Sequence, residues 1–123
     1  MLIVDANIVL RYILDEPVEL AARAADILEC YEVIVPMEIV SEVVYVLQKV
    51  YQVPRKEIQV KLCDLLDERL ITVQKVEVLR HALSIYGEEN LDFADTLLVA
   101  YHTVEHCQVE TFDKKLQKYL VRE

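Results

Sequence analysis

Four carboxylates stand where they could act together: Asp5, Glu42, Asp95 and Asp113. Asp5 follows directly on the apolar run Leu2–Val4, and Asp113 follows Gln108–Thr111, so both are expected at the C-terminal ends of strands. In open α/β sheets ligands bind at that edge. Asp95 lies near the start of an apolar helix, and Glu42 borders the apolar stripe of another. Asp92, one turn before Asp95, is a fifth acid in the same region. Carboxylates brought together on one edge repel one another unless a cation binds between them. Ligands that are all oxygen favour Mg²⁺ or Mn²⁺. No histidine adjoins any of these acids in sequence, and His81, His102 and His106 read as helix-borne core or surface residues.

Each acid also has a plainer role. Asp5 and Asp113 suit helix N-caps, Asp92 and Asp95 suit an N-cap and N3 pair, and Glu42 suits a solvated helix edge. Taken one at a time, capping is the commoner use of such residues. The case for a shared site is their joint placement on one sheet edge.

The elements that would position them alternate along the chain. Leu2–Val4, Val33–Val35, Ile71–Val73 and the weaker Gln108–Thr111 read as short strands. Between them run amphipathic helices. Leu20, Ala24, Ile27, Leu28 and Tyr31 form one stripe, and Ile39, Val43, Val46, Leu47 and Val50 a second, after Pro36. A third stripe, Ile58, Leu62, Leu65 and Leu66, follows Pro54, and a fourth, Leu79, Ala82, Leu83 and Tyr86, ends at Gly87. The helix from Phe93 is apolar almost all round, which predicts packing on most sides, and a last helix is expected over Lys114–Val121. The pattern predicts a three-layer α/β/α domain, residues 1–123, around a parallel sheet.

The chain has 123 residues, enough for a core of its own. No apolar run is long enough to span a membrane, and the start lacks the basic region of a signal peptide. Cys30, Cys63 and Cys107 are widely spaced among apolar residues and read as reduced core thiols of a cytoplasmic protein. Gly87 is the only glycine, which excludes Gly-rich phosphate loops and makes a nucleotide cofactor unexpected. The net charge of −9 opposes a broad nucleic-acid-binding face. Five of those charges belong to the acidic cluster itself, and Arg11, Lys49, Lys114, Lys115 and Lys118 remain as local cations.

VDANIVLRY (4–12), SEVVYVL (41–47), LDFADTLLVAY (91–101) and TFDKKL (111–116) together resemble the PIN-domain ribonucleases, and within them the VapC-type toxins of toxin–antitoxin pairs. The resemblance covers essentially the whole chain. It implies a PIN-like fold with a central sheet of four or five short strands, the final edge strand of many members being expected to be missing. It matches Asp5, Glu42, Asp95 and Asp113 to the family's acids, Asn7 to its usual Asn and Thr111 to its common hydroxyl. The implied chemistry is metal-assisted hydrolysis of RNA, leaving a 5′-phosphate and a 3′-hydroxyl. Asp5 and Asp95 are then metal ligands, with Asp113 a direct or water-mediated third. Glu42 positions or deprotonates the water, Asn7 and Thr111 orient the ligands, and Asp92 is a cap before it is a ligand. RNA contact falls to Arg11, Lys49, Lys114 and Lys115. An antitoxin protein and a second copy of the chain are the implied partners.

Three rival readings come from different classes. A phosphoacceptor receiver domain needs an acid after the third strand, where this chain has Gln74 and Lys75. A PIN-like fold kept only for binding would have no need of all four acids. A housekeeping RNA-processing nuclease of the same fold carries the same motifs as a toxin.

Overall fold

Helix boundaries follow the prolines. Pro17, Pro36 and Pro54 each occupy an N-cap position, and helices begin at the next residue: α2 (Val18–Cys30), α3 (Met37–Lys49) and α4 (Arg55–Asp67). A helix's first N–H groups have no partner inside it, so a residue lacking one sits there at little cost. The proline carbonyl accepts the first helical bond in each case, from Ala21, Val40 and Ile58. These features belong to a computed structural model that describes residues 1–120. The other elements are β1 (Leu2–Ile3), α1 (Ala6–Leu14), β2 (Val33–Ile34), α5 (Val76–Glu88), α6 (Phe93–Glu105) and α7 (Lys114–Gln117). None of the described helices is long and apolar enough to cross a membrane.

The chain divides into two units, Met1–Gln74 and the residues from Lys75 onward. In the first unit β1 pairs in parallel with β2, Leu2 against Val33 and Ile3 against Ile34. A single parallel bridge joins Ile34 to Thr72. Thr72 fixes that join with its backbone and with its hydroxyl, which donates to the Val33 carbonyl at 2.7 Å. Val33 and Val35 are buried, as are Val9 and Leu10 of α1, Ala24 and Leu28 of α2, and Val40, Val43, Val44 and Leu47 of α3, and α1 packs against both α2 and α3. Ile58, Leu62, Leu65 and Leu66 bury the inner face of α4.

In the second unit α5 and α6 form an antiparallel-type pair joined by a short loop. Tyr86, fully buried, meets Phe93 edge to face with ring centroids 5.8 Å apart. Removing an aromatic side chain of this kind costs about 3–5 kcal/mol. Thr96 is the buried polar residue of the described core, and its hydroxyl is satisfied by the Phe93 carbonyl at 2.7 Å.

Several expectations are corrected. The structure is mostly helical, and among the described residues its sheet has two strands and one bridge, not four or five strands. Gln108–Thr111 forms no strand. Gln108 and Glu110 are exposed, and of the partly covered Val109 and Thr111 only the valine is apolar, so the stretch lacks an apolar face to bury. Leu2 and Ile3, expected inside, are 36% and 68% exposed because β1 is the outer strand of this sheet. Val50 is exposed beyond the end of α3, and Leu20 and Tyr31 lie exposed near the ends of the α2 stripe. The α6 helix is buried along Phe93, Thr96, Val99 and Ala100, while Leu97, Tyr101 and Val104 are half-buried and Ala94 and Leu98 face solvent. The three cysteines are free, but Cys30 and Cys107 are exposed rather than core residues. The last helix is shorter than expected, and Val121 lies outside the described residues.

Candidate active site

Within the first unit the chain turns directly from β1 through Val4 and Asp5 into α1. Asp5 is exposed and caps that helix, its Oδ1 accepting from the Ile8 N–H at 3.3 Å. One oxygen does the capping, so the cap does not use up the carboxylate. Asp5 also lines an open cleft of about 710 Å³ with Leu2, Ile3, Val4, Ile8, Ile27, Pro36, Glu38 and Ile39. That cleft runs along β1 to the turn that carries Asp5, so the carboxylate stands at the strand's C-terminal end, where a parallel sheet offers its loops to a ligand.

Glu38, not Glu42, is the second acid of this cleft. Glu42 is exposed one turn further along α3, so both acids lie on the same side of the helix. Glu38 was missed in sequence because it looks like an ordinary first-turn acid. The signal that finds it is its distance of two residues from Pro36, which ends β2 as Asp5 ends β1. Asn7 is exposed in the first turn of α1.

Arg11, expected as a phosphate contact, is engaged within the chain. It is half-buried, with Nη1 donating to the Glu16 carbonyl at 2.8 Å and Nη2 to the Tyr51 hydroxyl at 3.0 Å. Its spacing suggested a surface cation, but its position on α1 directs it onto the chain's own loops. Lys49, by contrast, is exposed at the end of α3.

In the second unit Asp95 lies in the electrostatic field of two other expected acids, Asp92 and Asp113. Asp95 is half-buried in the first turn of α6, and its carboxyl is held above the ordinary value of 3.8. Burial is the main cause, followed by the negative charges of Asp92 and Asp113. Both neighbours are exposed. Asp92 occupies the N-cap position but makes no capping bond with its side chain, so the expected Asp92–Asp95 cap pair is not formed. The helix instead takes the Asp92 backbone carbonyl, which accepts from Thr96 at 3.0 Å.

Asp113 caps α7, its Oδ1 accepting from the N–H groups of Lys115 at 2.9 Å and Leu116 at 3.2 Å. Thr111 orients the turn and not the carboxylate, its hydroxyl accepting from the Asp113 N–H at 3.1 Å. Gln117 closes it by donating to the Thr111 carbonyl at 2.7 Å. Lys115 donates to the Asn90 carbonyl, which ties α7 to the loop before α6 and brings Asp113 toward Asp92 and Asp95. Lys115 is thereby partly occupied, whereas Lys114 is exposed.

The donors are all carboxylate, the set that suits a hard divalent cation. Among the described residues no three His, Cys, Asp or Glu side chains stand in a geometry that would hold a metal ion.

A family model, the PIN domain, matches residues 2–120. The chain belongs to the PIN domain family. PIN domains have an α/β fold and are generally nucleases, mostly of the ribonuclease type. They act on RNA or DNA, typically with divalent metals, and often pair with antitoxins. Searches of curated proteins and of solved structures gave no significant match. The PIN domain here spans both β1 with its Asp5 turn and the Asp92–Asp95–Asp113 group.

Proposed function

We propose that the whole chain is one PIN domain acting as a metal-dependent endoribonuclease, the toxin of a VapBC-type pair working in the cytoplasm. The observation that carries this is the Asp95 carboxyl, half-buried and set in the field of Asp92 and Asp113. Even a half-buried acid with two acidic neighbours carries a cost that a cation relieves.

Asp95 and Asp113 would hold Mg²⁺ or Mn²⁺, with Asp5 as the ligand supplied by the β1–α1 turn. Such an ion, when bound, lowers the pKa of a water and offsets the charge of a scissile phosphate. Glu42 would position or deprotonate that water. Asn7 would orient Asp5, Thr111 fixes the turn that carries Asp113, and Asp92 adds negative field beside Asp95. Lys49 and Lys114 would be the first cations to meet an RNA phosphate, since Arg11 has bonds to Glu16 and Tyr51.

An antitoxin segment would take the groove between α1, α2 and α4. A pocket of about 410 Å³ lies there, lined by Tyr12, Ile13, Asp15, Ala21, Ala25, Lys61, Asp64, Leu65 and Glu68. Tyr45 and Val60, 62% and 48% exposed, leave apolar surface on α3 and α4 for a second copy of the chain.

The test is cleavage of mixed RNA by nuclease-free preparations of wild type, Asp5→Asn, Glu42→Gln and Asp95→Asn, with Mn²⁺ or EDTA. Wild type should cut only with metal and each variant should be inactive while still folded. Equal cleavage by wild type and Asp95→Asn would sink the assignment. Growth arrest on expression, relieved by a neighbouring small protein, separates a toxin from a housekeeping nuclease.

A further inference from the structure

Phe112 is fully exposed, at 103% of the reference area, on the turn between Thr111 and Asp113. A lone exposed apolar side chain is ordinary. What sets this one apart is how firmly its backbone is held and what stands beside it. Thr111 is bonded at its hydroxyl by Asp113 and at its carbonyl by Gln117, and Asp113 accepts from both Lys115 and Leu116. The ring therefore projects from an ordered turn, and little further backbone entropy is lost when something covers it.

We propose that Phe112 is a stacking platform for an unpaired base of the RNA substrate, a specificity-determining residue one step along the chain from Asp113. The proposal rests on the ribonuclease reading above. Three observations favour a base as the occupant. Phe112 adjoins Asp113 in the chain, with about 3.8 Å between their α-carbons, so a base on the ring lies beside the residue that carries that carboxylate. Lys114, exposed on the other side of Asp113, supplies a cation for a backbone phosphate. Stacking on an aromatic ring needs no charge, so it can add affinity for a base where the net charge of −9 opposes a broad electrostatic contact. Duplex RNA keeps its bases stacked in the helix, so the platform selects single-stranded or bulged segments.

The chain contains no tryptophan, so Phe112→Trp places a single fluorescent reporter at the site. In an Asp95→Asn background with Mg²⁺, a single-stranded ribo-oligonucleotide should quench that tryptophan and a duplex of the same sequence should not. Phe112→Ala should weaken binding of the single strand roughly 5- to 100-fold. In the otherwise wild-type chain it should raise KM more than it lowers kcat, while Phe112→Tyr retains most of the affinity. Absence of quenching, or Phe112→Ala binding as tightly as Phe112, overturns the platform even if wild type cleaves RNA. Altered sedimentation of Phe112→Ala with unchanged RNA affinity also overturns it, by assigning the ring to a protein contact. Failure of wild type to cleave any RNA overturns the nuclease reading instead, a result the quenching measurement does not depend on.

Discussion

The Arg11 guanidinium donates to the Tyr51 hydroxyl at 3.0 Å, tying α1 to the segment that follows α3. A second bond to the Glu16 carbonyl holds the loop after α1 at the same time. Arg11→Ala should therefore lower stability and leave RNA affinity unchanged. A double-mutant cycle with Tyr51→Phe should give a coupling of about 0.5–1.5 kcal/mol, read by denaturant melts. A loss of RNA affinity with unchanged stability would return Arg11 to the phosphate contacts.

Asp95→Asn should melt higher than wild type in EDTA at pH 7, since the neutral amide pays neither the burial cost of a charge nor the repulsion from Asp92 and Asp113. The sign follows from the raised carboxyl: the folded state holds the proton longer, so ionised Asp95 costs stability above its own titration range. The gap between variant and wild type should close as pH falls through that range toward 3.8. With Mn²⁺ at ten times its Kd, wild type should gain about 1.4 kcal/mol, or roughly 3–6 °C, and the variant less. Scanning calorimetry with and without EDTA checks both halves.

Tyr12 is held above its usual value of 10.0, first by burial and then by the charges of Glu29, Glu68 and Asp15. Below pH 10 the tyrosine is neutral in both states and the shift has no effect on stability. As pH rises further the unfolded chain ionises first, so stability falls until the folded Tyr12 titrates too. Tyr12→Phe lacks that loss, and its melting advantage over wild type should appear only above pH 10. The measurement is a pair of urea melts at pH 8 and pH 10.5.

The end of α4 is closed by Leu70 bonding back to the Leu65 carbonyl and Arg69 to that of Leu66, a pattern that usually places glycine where Arg69 stands. Arg69 has φ of 60°, as Asp15, Gln52 and His106 have similar left-handed values. Such a conformation costs a non-glycine residue about 1–2 kcal/mol, partly offset by the greater freedom of unfolded glycine. Arg69→Gly should gain about 0.5–1 kcal/mol in thermal melts, and Arg69→Ala should gain none.

Helical periodicity carried most of the fold, because α3, α4 and α5 bury the stripes their spacing marks: Val43 and Leu47, Ile58 to Leu66, and Leu79 to Tyr86. The strands were harder. Runs of two or three apolar residues say nothing about how many neighbours a strand has, so Leu2 and Ile3 looked central and lie at the edge. At the ends of helices the stripe loses its partner, which is why Val50 and Tyr31 are exposed. Asp95 and Asp113 were legible as candidates from their place after apolar or strand-like runs. Glu38 was hidden behind the ordinary use of an acid in a first turn, and the engagement of Arg11 depends on Tyr51, forty positions away in sequence.

The β1–β2–Thr72 pairing has a consequence for synthesis. Its contacts join Leu2 to Val33 and Ile34 to Thr72, long closures that form slowly, while α5 and α6 are neighbours across Glu89–Asp92 and pair fast. A ribosome adding about 5–20 residues per second needs roughly 2–10 s to pass from Gln74 to Glu123. Translation thus releases the slow-pairing strands before the quick helical hairpin, giving the sheet a head start of seconds.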